Sequence, residues 1–147
     1  MTKRIFVVLA ALALVCACTG QGGLPPMPGD VIGIDASMVV GDTDQQTGDV
    51  SLTYSLYITN NGDTTLEKVI LKDFLPPSDV VMRKTYFEIT NLKPGETREV
   101  AFDVLVLGWG LHGQRQQWEV DFTIRIEEGS AFTEQDIFYY AIELYSG

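Results

Sequence analysis

The sequence is poor in the residues from which catalytic and metal centres are usually built. Its 147 residues include two cysteines, Cys16 and Cys18, and a single histidine, His112. A catalytic zinc ion needs several such ligands together, and a nucleophile needs a neighbouring base. We therefore expect no enzyme activity, no metal centre and no bound cofactor.

Basic residues are also scarce. Ten Lys and Arg stand against twenty Asp and Glu, which gives a formal net charge of -10 at pH 7. Affinity for nucleic acids comes largely from Lys and Arg that neutralise phosphates, and an acidic surface repels the phosphate backbone. The composition argues against a nucleic-acid partner and is typical of a surface that resists self-association.

The N-terminal segment has the layout of an export signal. Lys3 and Arg4 precede an apolar run, residues 5–15, that is too short to span a bilayer. Residues 15–18, with the sequence VCAC, resemble the lipobox of prokaryotic lipoproteins. The resemblance implies that residues 1–17 are a signal peptide and that Cys18 carries lipid, whose acyl chains would anchor the protein firmly in a membrane.

Other processing schemes fit this segment less well. Lipidation of Cys16 would place Val15 at the small-residue position before the cleavage site. An ordinary secretory signal cleaved near Ala17 and an uncleaved anchor remain as alternatives. Cleavage before Cys18 would leave eight basic residues against twenty acidic ones, a charge of -12, and no cysteine pair for a disulfide. Thr19, in place of the aspartate that retains some lipoproteins in the inner membrane, favours the outer membrane or the cell surface.

A short tether follows the predicted lipidation site. Residues 18–30 are rich in Gly and Pro and show no apolar periodicity, which is typical of a linker. The remaining residues, 31–147, have the length of one domain. We therefore predict a signal peptide (1–17), a lipidated N-terminus with its tether (18–30) and one folded domain (31–147).

The folded domain shows strand patterns and no long helical stretch. Apolar residues alternate with polar ones in several short runs separated by turn residues, which predicts strands at 31–40, 50–59, 66–75, 85–89, 100–106, 118–126 and 137–145. The first is predicted at a sheet edge. The third lacks clean alternation, so it has either a bulge or cover on both faces. About seven such strands predict an all-β, immunoglobulin-like antiparallel β-sandwich.

Three turn motifs carry a family resemblance. Residues 60–63 read Asn-Asn-Gly-Asp, residues 73–76 read Asp-Phe-Leu-Pro, and residues 92–97 read Leu-Lys-Pro-Gly-Glu-Thr. With these motifs residues 50–106 resemble the conserved-repeat immunoglobulin-like domains of bacterial and archaeal surface proteins. The resemblance implies a stalk, spacer or binding platform without catalytic residues, and the single copy argues against a long spacer.

The same motifs have backbone explanations. Asn61-Gly62 predicts a tight reversal with a positive φ, and Pro94-Gly95 predicts a turn in which proline fixes the first position and glycine frees the second. The turn motifs therefore support the fold prediction without assigning a function.

A glycine-rich loop, residues 108–117, is the main candidate site. Trp109, His112 and Arg115, together with glutamines, would form an aromatic and hydrogen-bonding platform for a sugar, a peptide or an envelope partner. The simpler interpretation, which we favour, is that Trp109 covers the end of the core and the loop is merely long. We expect a membrane-anchored, non-enzymatic interaction or accessory module whose partner is another envelope protein or a glycan; the alternative is a carbohydrate-binding or small-solute-binding module at the cell surface.

Two further stretches leave alternatives open. Residues 42–49, with alternate aspartates, are compatible with calcium, but they fail the EF-hand pattern, which favours a solvated polar turn. The aromatic terminal strand, residues 137–145, has apolar side chains on both faces. One face belongs to the core, and the other either meets a partner or lies beneath a loop.

Overall fold

The computed structural model describes residues 23–109 and 116–144, and only the backbone of residues 116–118 and 137–144. This part of the chain forms a one-turn helix, α1 (Pro28–Val31), and eight strands: β1 (Ile32–Thr43), β2 (Val50–Asn60), β3 (Leu66–Leu75), β4 (Val80–Met82), β5 (Phe87–Leu92), β6 (Thr97–Val106), β7 (Gln116–Glu128) and β8 (Ala131–Leu144). None of the described helical segments is long and apolar enough to cross a membrane. The all-β prediction is confirmed.

The strands form two four-stranded antiparallel sheets. Their orders are β1-β2-β6-β4 and β5-β3-β7-β8. In immunoglobulin nomenclature these orders correspond to A-B-E-D and C′-C-F-G. One departure is that β4, which takes the D position, precedes β5 in the chain. The predicted sandwich is confirmed. The structure has eight strands instead of about seven because β4, with only three residues, is too short to show a sequence pattern.

Alternation along β2 and β6 builds half of the core. Leu52 lies opposite Val104, and Tyr54 lies opposite Phe102, with all four side chains buried. The other sheet contributes Phe74, which stacks on Phe122 at a centroid distance of 4.9 Å. Since side chains of a strand alternate between faces, the residues between these point to solvent.

Strand β3 shows both of the features left open by its sequence. Val69, Ile70 and Leu71 are all buried, so the middle of the strand is covered on both faces. Its pairing with β7 then shifts register between Lys72 and Leu75, and Asp73 lies in the left-handed region with φ 55. A bulge of this kind lets the strand end turn away from its partner.

Of the two glycine turns predicted from the sequence, one is confirmed by the structure and the other is not. Gly95 has φ +77 and Glu96 N donates to the Lys93 carbonyl oxygen at 2.9 Å, which confirms the Pro-Gly turn. The prediction of a positive φ at Asn61-Gly62 is wrong: neither residue has one. Strands β2 and β3 belong to different sheets, so this segment crosses between sheets. A Cβ at Gly62 would lie 3.1 Å from Val31 Cγ1, closer than ordinary van der Waals contact.

The start of the folded part is attached to one side of the sandwich. Thr133 Oγ1 on β8 donates to the Pro26 carbonyl oxygen at 2.7 Å, and Gly29 N donates to Gln135 Oε1 at 3.0 Å. Pro28 is buried. The chain therefore enters the domain at the side formed by β1 and β8.

Candidate interaction site

The predicted loop site is described only at its first residues. Trp109 is half-buried and packs against the hydrophobic core, the placement expected of a side chain that covers the end of the core. His112 and Arg115 lie outside the described residues, as does Cys18. The aromatic side chains of the terminal strand also fall outside the described part.

The aspartate loop between β1 and β2 is held by its own side chains. Asp44 Oδ1 accepts hydrogen bonds from Gln46 N at 2.8 Å and Thr47 N at 3.0 Å. The bonds from the Thr47 and Gln46 backbone lower the pKa of Asp44. Asp49 Oδ1 accepts from Gly108 N at 2.9 Å and so ties this loop to the start of the glycine-rich loop. Among the described residues no three or more metal-ligating side chains come together.

Several charges on the outer face of the β5-β3-β7-β8 sheet are paired with one another. Glu134 Oε2 lies 2.7 Å from Lys72 Nζ and 3.0 Å from an Arg125 nitrogen. Arg125 Nε lies 2.6 Å from Glu127 Oε2, and Lys68 Nζ lies 3.6 Å from Glu127 Oε1. Opposite charges on neighbouring strands stabilise a sheet modestly. The described part of this face is typical of a solvated surface.

The opposite sheet has a partly open edge. Strand β4 pairs with β6 only at residues 104–106, whereas β2 pairs with β6 from Thr97 to Val106. Residues 97–103 of β6 therefore have one partner strand among the described elements. Leu107 N donates to the Asp79 carbonyl oxygen at 2.8 Å, so odd-numbered residues direct their backbone groups toward the β4 side. We call residues 97–103 of β6 the open edge.

Two depressions meet at the open edge. A groove of about 510 Å³ runs over the outer face of the sheet and is lined by Val81, Arg83 and Asp103 among others. A slot of about 340 Å³ separates β5 from β6. Lys84 and Ala101 line both. The open edge is thus accessible from the outer face and from the side.

Among the charges beside the open edge, Arg98 is paired with Glu96, its Nε lying 2.6 Å from Glu96 Oε2. The other charges there are not paired with one another. Glu99 Oε2 accepts from Ser55 Oγ at 2.7 Å, and Asp103 Oδ1 accepts from Thr53 Oγ1 at 3.2 Å. In the described part of the chain neither carboxylate lies within salt-bridge distance of a Lys or Arg. Arg83 likewise has no carboxylate partner there. These three groups are available to an ionic partner.

The groove does not have the lining expected of a sugar site. Its described lining includes one aromatic residue, Phe102, which is only 5% exposed and belongs to the core. Aromatic rings that contact a ligand must present a face or an edge to it. The described groove therefore offers aliphatic side chains such as Val81 and Leu105 together with backbone groups, hydroxyls and charges.

Sequence reasoning missed the open edge because it missed β4. Residues 80–82, Val-Val-Met, are the one local signal, and three residues are too few to establish a period of two. The residue at which β4 ends determines how much of the β6 edge is left uncovered. That end point depends on pairing between segments that are distant in the sequence.

Comparisons with known proteins found few similarities. No family model matches the chain, and no curated protein matches it. Among solved structures, a FixG-related protein from Vibrio parahaemolyticus is similar over 76% of this chain and 92% of that chain, with 18% sequence identity and a TM-score of 0.37.

Proposed function

We propose that this chain is a lipid-anchored envelope protein whose sandwich is a non-enzymatic interaction module, and that it docks another envelope protein through the open edge of β6. The observation that carries the proposal is the seven-residue stretch, 97–103, that has one partner strand and unpaired charges beside it. The lipobox resemblance at residues 15–18 supports the anchor.

In the described part of the chain β1, β5 and β8 also pair with one strand each, but the edge of β6 is exposed within a sheet, where β4 ends partway along it. An unpaired row of N–H and C=O groups is a template for pairing with another chain, and proteins commonly cover or shorten such edges. Here β4 covers only the last residues of β6, and the chain then crosses to β5 in the other sheet. A partner that pairs with this edge would satisfy the exposed backbone groups.

The position of the tether also favours this edge. The chain enters the domain against β8, while the open edge lies on the other side, where β5 approaches β6. A protein anchored through residues 18–30 would leave this side of the sandwich unobstructed by its own tether. The outer membrane or the cell surface is the proposed location.

Photo-cross-linking in intact cells tests the proposal. A photoreactive amino acid is placed at Ala101 on the open edge or, as a matched control, at Ala36 on β1; both alanines are exposed. We expect a discrete adduct with one envelope protein at Ala101 and none at Ala36. Absence of an adduct at both positions would overturn the interaction function, and an adduct at Ala36 alone would overturn the assignment of the edge.

A further inference from the structure

We infer that the open edge of β6 binds an extended segment of its partner by strand addition, and that this segment places a Lys or Arg opposite Glu99. The inference rests on the proposed function and specifies the chemistry of the partner. Three observations carry it: the length of the open edge, the charges along it, and the unfavourable contacts that a second copy of the chain would make.

The open edge is long enough for a strand. Residues 97–103 exceed the five or six residues of a typical strand. Successive residues of a strand direct their N–H and C=O groups to opposite sides, and Leu107 N points toward the β4 side. The N–H and C=O groups of Glu99, Ala101 and Asp103 therefore point away from β2, toward the open edge. Peptides that add to a sheet edge gain affinity from such main-chain hydrogen bonds and specificity from alternate side chains.

The side chains on the outer face favour a basic residue. Glu99 and Asp103 are exposed, and each is bonded to one hydroxyl of β2. An added strand would set a residue directly opposite each, with Cβ atoms about 5 Å apart, where opposite charges stabilise and like charges destabilise the pairing. The net charge of -10 also attracts a basic segment from a distance.

Glu99 is the better of the two positions. Arg83 and Lys84 both line the groove beside Asp103, so that end of the edge already has cations nearby. Lys84 and Arg98 border the slot beside Glu99, but both are engaged elsewhere. Arg98 Nε lies 2.6 Å from Glu96 Oε2, and Lys84 Nζ lies over the Phe87 ring at 4.9 Å. A cation in the partner is therefore best placed opposite Glu99.

A second copy of this chain does not fit the open edge. Two-fold antiparallel pairing centred on Glu99 would set the two Glu99 carboxylates against each other, and pairing centred on Ala101 would set Glu99 against Asp103 of the other copy. Centring on Val100 would bring the two Glu99 residues into diagonal contact. Like charges at these separations oppose pairing, and each copy carries a charge of -10.

Peptide binding to the full chain in detergent tests the inference. The probes are two fluorescent peptides of about nine residues, rich in Thr and Val, that differ only in a central Lys or Glu. Fluorescence anisotropy should show that the Lys peptide binds about two- to fivefold more tightly at low salt. Glu99→Lys should reverse the preference, whereas Glu119→Lys, with the same change in net charge on β7, should leave the preference in place.

A backbone variant tests strand addition itself. Ala101→Pro removes a donor that points to the open edge and leaves the bonds to β2 in place, because proline is tolerated where the N–H faces outward. Both peptides should then lose affinity, with an unchanged circular dichroism spectrum. Should this variant not fold, the Glu99→Lys reversal alone decides the inference.

The outcomes separate the two proposals. Equal affinity of both peptides, or equal effects of Glu99→Lys and Glu119→Lys, would overturn the basic-segment inference. If the Ala101 adduct still forms in cells, the interaction function stands and its partner chemistry is different. If no adduct forms at Ala101, the proposed function fails at this edge whatever the peptides show.

Discussion

Asn60, at the end of β2, donates a hydrogen bond of 2.9 Å from Nδ2 to the carbonyl oxygen of Leu92, at the end of β5. The two strands belong to different sheets, so this bond joins the layers of the sandwich. The same Nδ2 donates to the Thr64 carbonyl oxygen at 2.8 Å, and Oδ1 accepts from Gly62 N at 2.9 Å. The amide is fully buried, and these bonds offset the cost of its burial.

We expect Asn60→Ala to lower the free energy of unfolding by roughly 2–4 kcal/mol, because it leaves two carbonyl groups and one N–H without a side-chain partner. Urea denaturation measures the loss. Asn61→Ala is the matched control, since Asn61 is exposed and should change stability by less than about 0.5 kcal/mol. Equal stability of the two variants would show that the amide does not join the sheets.

A second stability prediction concerns the turn before β6. Gly95 has φ +77, and no heavy atom lies within 4 Å of where a Cβ would be, so the cost of a side chain there is conformational and not steric. Gly95→Ala should destabilise the protein by about 1 kcal/mol, and Gly95→Asn by less, because asparagine tolerates the left-handed region. Thermal unfolding should rank the three proteins in that order; an unchanged midpoint for Gly95→Ala would contradict the turn geometry.

A third prediction follows from the ion pairs on the outer face. Hydrogen bonds from Lys72 and then Arg125 hold the pKa of Glu134 below its usual value. Its ionised form is therefore favoured in the folded state, and the stabilisation is complete above the unfolded pKa and is lost as the pH falls through the folded pKa. Glu134→Gln should cost stability near pH 7 and much less near pH 3.

Urea midpoints at the two pH values provide the measurement for Glu134. The matched control is Glu119→Gln, which removes a carboxylate that forms no ion pair with the described residues. This control should show little effect at either pH, and raised salt should reduce the Glu134 effect because the pairs are partly exposed. A loss that does not depend on pH would mean that Glu134 acts through packing.

The long central strands were predictable from their apolar residues. Alternation placed a strand at 50–59, and an apolar run bounded by turn residues placed one at 66–75; the structure has Val50–Asn60 and Leu66–Leu75. The last strand begins at Ala131, before the predicted 137, because residues 131–136 are mostly polar and follow β7 through pairing. A polar stretch that becomes a strand by pairing with its neighbour shows no alternation of apolar and polar residues.

The candidate site was less predictable than the fold. The loop at Trp109 was noticed because aromatic and histidine residues stand out among glycines. The open edge of β6 has no such signal: its residues 97–103 alternate like those of any strand facing a core. What distinguishes it is the early end of β4, a consequence of pairing between segments that local patterns do not report.

The anchor gives the last prediction. Because residues 15–18 resemble a lipobox with Cys18 at the lipidated position, cells grown with labelled palmitate should yield labelled protein in the membrane fraction, released only by detergent. Cys18→Ala should abolish the label and leave the longer, uncleaved precursor, while Cys16→Ala should be processed and labelled as the natural protein is. Label that survives in Cys18→Ala but not in Cys16→Ala would move the lipidated position to Cys16. An unlabelled, cleaved natural protein would replace the lipoprotein proposal with an ordinary secretory signal, and the domain would then reach its partner without a lipid anchor.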